Sequence, residues 1–404
     1  MPAAWTVAAP YPEGAVMQLA AALHTRGSLR ELVMPSRRAT RSAARFASLV
    51  LPSGARRQRY LSVDHGPLPS EVGPVLEGLR LLARVGLAPG GAADPMRAVR
   101  QPFDRAVARR RRQHGVGDVL LGMPGATRTS FLAGGDAYRV LHQVDGHPDA
   151  RNEALAVFGE RARRELVPVP LSDGIRRELD LAEVVLVPSE AVRRQLIHAA
   201  VDPRKLFHVP YGVNVDRFQA PGSERQPGPR RLLYVGQVSY RKGIPFLVEA
   251  CRRGDFVLDL VGPLIAPELI RNLPVNVRYR ETVSNADLTT LFAQADAFIL
   301  PSVEDAFGLV VTEALASGLP VITTRQTGAS EVMEGVDGVV LEAGDVDRLR
   351  KSLQEIPELS LSDRRTRAGR FRDRVASGDV HSWGTYTAAV ISGIEDRLRL
   401  RTDH

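Results

Sequence analysis

The residues best suited to chemistry crowd into one stretch, PSVEDAFGLVVTEALASGLPVITT, residues 301–324. Glu304 and Asp305 offer adjacent carboxylates, and Phe307-Gly308-Leu309 follows where the pattern marks a helix start. Glycine at Gly308 lets the backbone come close to a ligand, and the free N–H groups of a helix start attract phosphate or sugar hydroxyls. Glu313 stands eight residues after Asp305, about two turns into that helix. Two acids so spaced can bracket a ligand, one holding a sugar hydroxyl and the other a ribose diol. Singly, each has a bland alternative, because charged side chains on helices usually face water. Taken with the glycine and the apolar residues around them, they read as a site.

Loops of this kind need strands behind them, and the second half of the chain supplies them. RLLYVGQV (231–238) is a β-rich apolar run ending at Gly236, followed by a helical pattern in IPFLVEACRRG. FVLDLVG, VRYRETV, DAFILPS and LPVITT read as further strands, with ADLTTLFAQA and GLVVTEALASG as helices between them. Near-continuous apolar strands alternating with helices predict a parallel, doubly wound α/β sheet. The first half shows the same alternation in WTVAAPYP, EGAVMQLAAALHTRG, LRELVMPS, DVLLGMP, YRVLHQV and VVLVP, the last followed by Ser189 as a helix N-cap. Residues 218–230 are rich in Pro and Gly and lack periodicity, the composition of a linker. This divides the chain into a domain over 1–217, the linker 218–230 and a second domain over 231–379. Ligands bind at the carboxyl ends of the strands in such sheets, so both domains should present loops to a central cleft.

The motif at 301–321 resembles that of the retaining glycosyltransferases of family 4, within the glycosyl transferases group 1, which have the two-domain GT-B fold. The family pattern is P-S-x-x-E-G-F-G-L-x-x-x-E-A-x-A-x-G-x-P-V. Pro301, Ser302, Phe307, Gly308, Leu309, Glu313, Ala314, Ala316, Gly318, Pro320 and Val321 match it. Asp305 stands where the first Glu belongs and Ala306 where Gly is usual. Asp305 is a methylene shorter, and Glu304 beside it offers an alternative donor-sugar contact. LLYVGQVSYRKGIPFLVEA resembles the family's phosphate-binding strand–loop–helix, which implies that Lys242, with Arg241 beside it, neutralises a leaving diphosphate. Residues 328–349 resemble the segment that places Gly328 and Glu331 near the sugar. Residues 184–218 resemble the end of the acceptor domain. Backbone groups near Val283 would hold the nucleotide base, and the C-terminal helix 380–404 is expected to join the N-terminal domain. In VLHQVDGHPDARNEAL, His147 is the histidine expected to face the cleft, with His142 the second choice.

The resemblance implies transfer of a sugar, with retention, from a nucleoside-diphosphate sugar to a hydroxyl acceptor by a hexosyl- or related glycosyltransferase. No cofactor or metal is expected. The one Asp-x-Asp, Asp345–Asp347, opens a helix and reads as capping. UDP- and GDP-sugars both stay open as donors, and polysaccharide, glycolipid and natural-product acceptors stay open too. A sugar-nucleotide epimerase or phosphorylase on the same fold is the alternative, since fold does not fix function.

Composition narrows the remaining classes. The chain has 404 residues, 44% hydrophobic and 25% charged, which excludes wholesale disorder. No run approaches the ~18–20 apolar residues of a membrane-spanning helix. MPAAWTVAAPYPEGAV lacks a basic region before an apolar core, so no secretory signal is expected. Cys251 is the only cysteine, which excludes an intrachain disulfide and points to a reducing, cytoplasmic setting. Residues 1–217 hold 31 Lys+Arg against 21 Asp+Glu, while 218–404 hold 23 against 25. The basic half could meet an anionic membrane at the inner face, and Arg109–Arg112 is its densest run; a solvated helix face is the other reading. Nucleic acid is not expected as a partner, because aromatics are only 5% and are not interleaved with the arginines.

Overall fold

The computed structural model describes residues 2–11, 13–35, 70–71, 96, 98–223, 228–252 and 254–402. Two parallel sheets organise them. The first contains β1 (Trp5–Ala8), β2 (Leu29–Met34), β3 (Ser70–Glu71), β4 (Val119–Gly122), β5 (Tyr138–His142), β6 (Val184–Val187) and β7 (Leu206–His208), in the order β3-β2-β1-β4-β5-β6-β7. The second contains β8 (Arg230–Val235), β9 (Phe256–Val261), β10 (Val277–Arg280), β11 (Ala297–Leu300), β12 (Val321–Thr324) and β13 (Gly338–Leu341), in the order β10-β9-β8-β11-β12-β13. Each order starts from a central strand, runs outward, then jumps back across it. That reversal is the doubly wound arrangement.

The central strands are buried on both faces. β1, β4, β6, β11 and β12 carry no exposed residue, which is why they are mostly apolar rather than alternating, with only Thr6, Thr323 and Thr324 polar among them. The strands expected from the sequence all appear. β3 and β13 are additional, and both sit at sheet edges.

β7 ends at His208 and β8 starts at Arg230. Of the expected linker 218–230, residues 224–227 lie outside the described residues. Its first residue, Phe218, is buried edge-on against Phe292 of the second sheet's layer, with ring centroids 5.5 Å apart. The last helix, Trp383–Thr402, returns to the first sheet. It packs on the helix Gly14–Thr25, Arg26 pairs with Glu395 at 2.8 Å, and the His142 imidazole meets the Tyr386 hydroxyl at 2.8 Å.

The arginine run lies on the helix Arg100–His114, and half of it is consumed by the fold. Arg110 pairs with Glu31. Arg111 is buried and donates to the carbonyls of Ser130 at 2.6 Å and Gly135 at 3.0 Å. Arg109 and Arg112 are exposed. No helix among the described residues is long and apolar enough to cross a membrane.

Candidate functional site

In the second sheet the strand order reverses between β8 and β11, so the loops after these two strands open side by side at the carboxyl edge. The first loop carries Gln237, Arg241 and Lys242, and the second Glu304, Asp305, Phe307 and Gly308. Their fit depends on Gly243. Its φ is +70°, and a Cβ there would stand 1.9 Å from the Pro301 carbonyl oxygen. Only glycine allows this approach. Val303 N–H donates to the Arg241 carbonyl at 2.9 Å, which ties the two loops together.

The side chains then pair one to one. Lys242 Nζ bonds Asp305 Oδ2, and both side chains are about nine-tenths buried. Arg241 Nη1 lies 3.3 Å from Glu304 Oε2, and its Nη2 donates to Gln237 Oε1 at 3.3 Å. Burial pushes Asp305 upward, but the charges of Lys242 and Arg241 and the Phe307 N–H outweigh it and hold the carboxyl below its usual value. For Lys242 burial wins and its pKa falls, with Asp305 opposing. Arg241 is raised: burial works against its charge, but Glu304 and Asp305 more than offset it. The result is a compact group of alternating buried charges whose cations anion chemistry could use.

Asp305 is fixed through its backbone as well. Its N–H donates to the Gln326 carbonyl at 2.9 Å, and its carbonyl accepts from Gly328 N at 3.0 Å. Gly308, at φ +82°, caps the helix Leu309–Ala316 and brings the start of that helix beside the Asp305 carboxylate. Glu313 sits half-buried on that helix, and Leu309 packs against the core. Phe307 is buried against Tyr211, with ring centroids 5.2 Å apart, so its ring fills the space between the two halves. Gly236 ends β8 with its N–H on the Val261 carbonyl, and Val283 is half-buried just before the helix Asn285–Gln294.

Glu331 reaches the first half of the chain. Its oxygens accept from Glu190 N at 2.8 Å and meet His208 Nε2 at 3.1 Å. His147 is buried and caps the helix Pro148–Leu155, its Nδ1 accepting from Asp149 N at 3.2 Å. Its Nε2 has no hydrogen-bond partner among the described residues, and burial lowers its pKa. The residue before it, Gly146, faces the charged group directly: a Cβ there would lie 2.4 Å from Glu304 Oε1. His142, the second-choice histidine, is stacked on Tyr211 and bonded to Tyr386, away from solvent. Asp345 accepts from Arg348 N at 2.9 Å, so it does cap its helix.

Two residues of this region escaped the sequence reading. Glu165 ends a 3₁₀ segment, Ala156–Glu165, and accepts from the backbone N–H groups of Tyr240 at 2.7 Å and Arg241 at 2.9 Å. Arg151 lies one turn beyond His147 on the helix Pro148–Leu155, its Nε buried without a hydrogen-bond partner among the described residues. Neither sits in a motif, and each is recognisable only once the two halves are set together.

The family model described as Glycosyl transferases group 1 matches residues 216–371. The chain is 29% identical over 287 residues to a D-inositol 3-phosphate glycosyltransferase of Geodermatophilus obscurus, covering 62% of this chain and 61% of that protein. It is 28% identical over 244 residues to the protein of the same name from Mycobacterium tuberculosis H37Ra, covering 54% of this chain and 50% of that one. The chain thus spans between half and three-fifths of the curated relatives it matches. Among solved structures, sucrose-phosphate synthase from Thermosynechococcus elongatus superposes over 99% of this chain and 96% of that one with a TM-score of 0.68 at 18% identity. Anabaena HepE in complex with UDP and glucose covers 98% of this chain and 100% of that one, with a TM-score of 0.62 at 15% identity. WaaG, a glycosyltransferase involved in lipopolysaccharide biosynthesis, covers 96% and 98% with a TM-score of 0.59 at 19% identity. These likenesses identify the architecture as GT-B.

Proposed function

We propose that this chain is a retaining glycosyltransferase that moves a sugar from a nucleoside-diphosphate sugar to a hydroxyl acceptor without a metal. The observation that carries the reading is the pairing of Arg241 and Lys242 with Glu304 and Asp305 at the strand-order reversal of the second sheet. Breaking the bond between the anomeric carbon and the phosphate oxygen leaves the electron pair on the diphosphate. Two fixed cations stabilise that growing charge in a site largely closed to water. Asp305 is held by Lys242 and is poorly disposed to attack the anomeric carbon. The acceptor oxygen therefore attacks from the face the diphosphate is leaving, and its proton passes to a departing phosphate oxygen, which gives retention.

The match of residues 216–371 to Glycosyl transferases group 1 supports this reading, as does the likeness to HepE, a structure solved with UDP and with UDP-glucose. D-inositol 3-phosphate, named in the curated relatives, is the first acceptor to try. Cytoplasmic work belongs to the same proposal, with Arg109 and Arg112 left to meet an anionic membrane.

The test is a panel of UDP- and GDP-sugars scored by thermal stabilisation, followed by nucleoside-diphosphate release with and without acceptor in EDTA. Acceptor-dependent release with a retained anomer is expected. Epimerised donor without an acceptor, or loss of activity in EDTA, would overturn the corresponding part.

A further inference from the structure

We propose that Arg151 is the second arm of a two-arginine clasp that, with Arg241, grips a phosphate group across the domain boundary. The inference rests on the transfer reading and adds a binding residue from the other half of the chain. Arg151 lies on the helix Pro148–Leu155, and its N–H donates to the His147 carbonyl at 3.0 Å. One helical turn separates the two residues, so they share a face. That face meets the charged group, because Gly146 packs against Glu304.

Hydrogen-bonding capacity is left over at this meeting point. Arg151 Nε, His147 Nε2 and Glu304 Oε1 are all buried without a hydrogen-bond partner among the described residues. The Arg151 side chain makes no hydrogen bond to any described residue. The acids nearby are Asp145, Glu304 and Glu165, and two of the three are committed elsewhere. Glu304 Oε2 is on Arg241, and both oxygens of Glu165 are on the Tyr240 and Arg241 amides. Asp305 is taken by Lys242. After burial, the strongest influence on Arg151 is repulsion from Arg241. Arg151, which lacks a hydrogen-bonded counter-ion among the described residues, stands on the helix whose start packs against Glu304, the partner of Arg241, and this makes a place for a dianion. Phosphate oxygens fit guanidinium donors in pairs, and such charge-assisted bonds are the strong ones. An anion held there would also tie the two halves together.

A phosphate group could come from the donor's diphosphate or from a phosphate-bearing acceptor. Arg241 shares its loop with Lys242, which favours the donor. Calorimetry on wild type, Arg151→Ala and Arg151→Gln, with UDP, GDP, UMP, GMP and D-inositol 3-phosphate, separates the sources. At about 1.5–3 kcal/mol for a hydrogen bond to a charged group, either variant should weaken diphosphate binding roughly 10- to 100-fold while changing monophosphate binding little. The Gln variant keeps most of the stem and serves if the Ala variant misfolds. Unchanged affinity for both nucleoside diphosphate and D-inositol 3-phosphate in a folded variant overturns the clasp. Unchanged diphosphate affinity with weakened D-inositol 3-phosphate binding overturns its assignment to the donor. Wild-type protein that binds no nucleoside diphosphate overturns the transfer reading itself.

Discussion

The backbone N–H of Arg241 donates to Glu165 Oε2 at 2.9 Å, so a carboxylate from the first half of the chain holds the loop that carries both site cations. The neighbouring Tyr240 N–H takes the other oxygen, and Phe158 of the same 3₁₀ segment packs on the Tyr240 ring at 5.2 Å between centroids. Loop position and domain contact are therefore one structural fact.

Glu165→Ala should expose that dependence. It strands two buried amides, at about 1–3 kcal/mol for each donor left unsatisfied. Urea unfolding should show the loss, and nucleoside-diphosphate affinity should fall with it because Arg241 and Lys242 lose their support. Stability and affinity both at wild-type levels would mean the loop holds itself.

The sequence made the second sheet readable because its strands are buried on both faces and its loops carry a dense motif. Lys242, Asp305 and Gly308 come together there, on the two loops that the family resemblance singled out. β13 was missed: it has only four residues, opens on Gly338 and is half-buried at an edge, so its composition carries little strand signal. Glu165 and Arg151 were missed for another reason. The partners of Glu165, Tyr240 and Arg241, lie 75 and 76 residues away across the boundary between two sheets, Arg151 stands out only by its buried, unpartnered Nε, and no local pattern encodes either feature. The arginine run misled in part, since burial of Arg111 under carbonyls looks the same in sequence as a solvated face.

Lys242→Ala should cost rate and stability together. Removing a preorganised contact to the departing diphosphate should slow transfer about 100- to 1,000-fold. It also leaves Asp305 buried without its cation, and breaking such a pair costs about 3–5 kcal/mol. Adding Asp305→Asn should recover much of the stability and none of the rate. Single and double variants compared by thermal melts and turnover decide the point; equal stability in all three would show that Asp305 finds another partner.

His142 sets a pH limit on the fold. Burial lowers its pKa to about 4, from 6.5 when exposed. The unfolded chain therefore takes up a proton first as the pH falls. The stability His142 contributes is complete above pH 6.5 and is lost as the pH drops from there to about 4, a difference of about 3 kcal/mol. Unfolding of His142→Phe, followed between these pH values, should lose this part of the slope. It should also start lower, having given up the Tyr386 bond that fastens the last helix. A wild-type slope in the variant would place the titration elsewhere.

The two adjacent acids make the sharpest comparison. Asp305 and Glu304 are both buried, and each is bonded to its own cation, so neither is a surface acid. Their surroundings differ. The Asp305 carboxylate lies beside Gly308 at the start of the helix Leu309–Ala316, where backbone N–H groups would meet the proposed sugar diphosphate. Glu304 instead turns Oε1 towards Gly146 in the other half of the chain, and its Oε2 rests on Arg241. On the proposed transfer reading, Asp305 is the acid expected to contact the donor, with Glu304 orienting Arg241. Asp305→Ala should nearly abolish transfer, by about the 100- to 1,000-fold that one preorganised contact is worth. Glu304→Ala should raise the KM for donor more than it lowers kcat, since it loosens a cation without removing it. Asp305→Glu should change donor preference, because the longer arm enters the space the sugar needs. A mild Asp305→Ala beside a crippled Glu304→Ala would exchange the two roles.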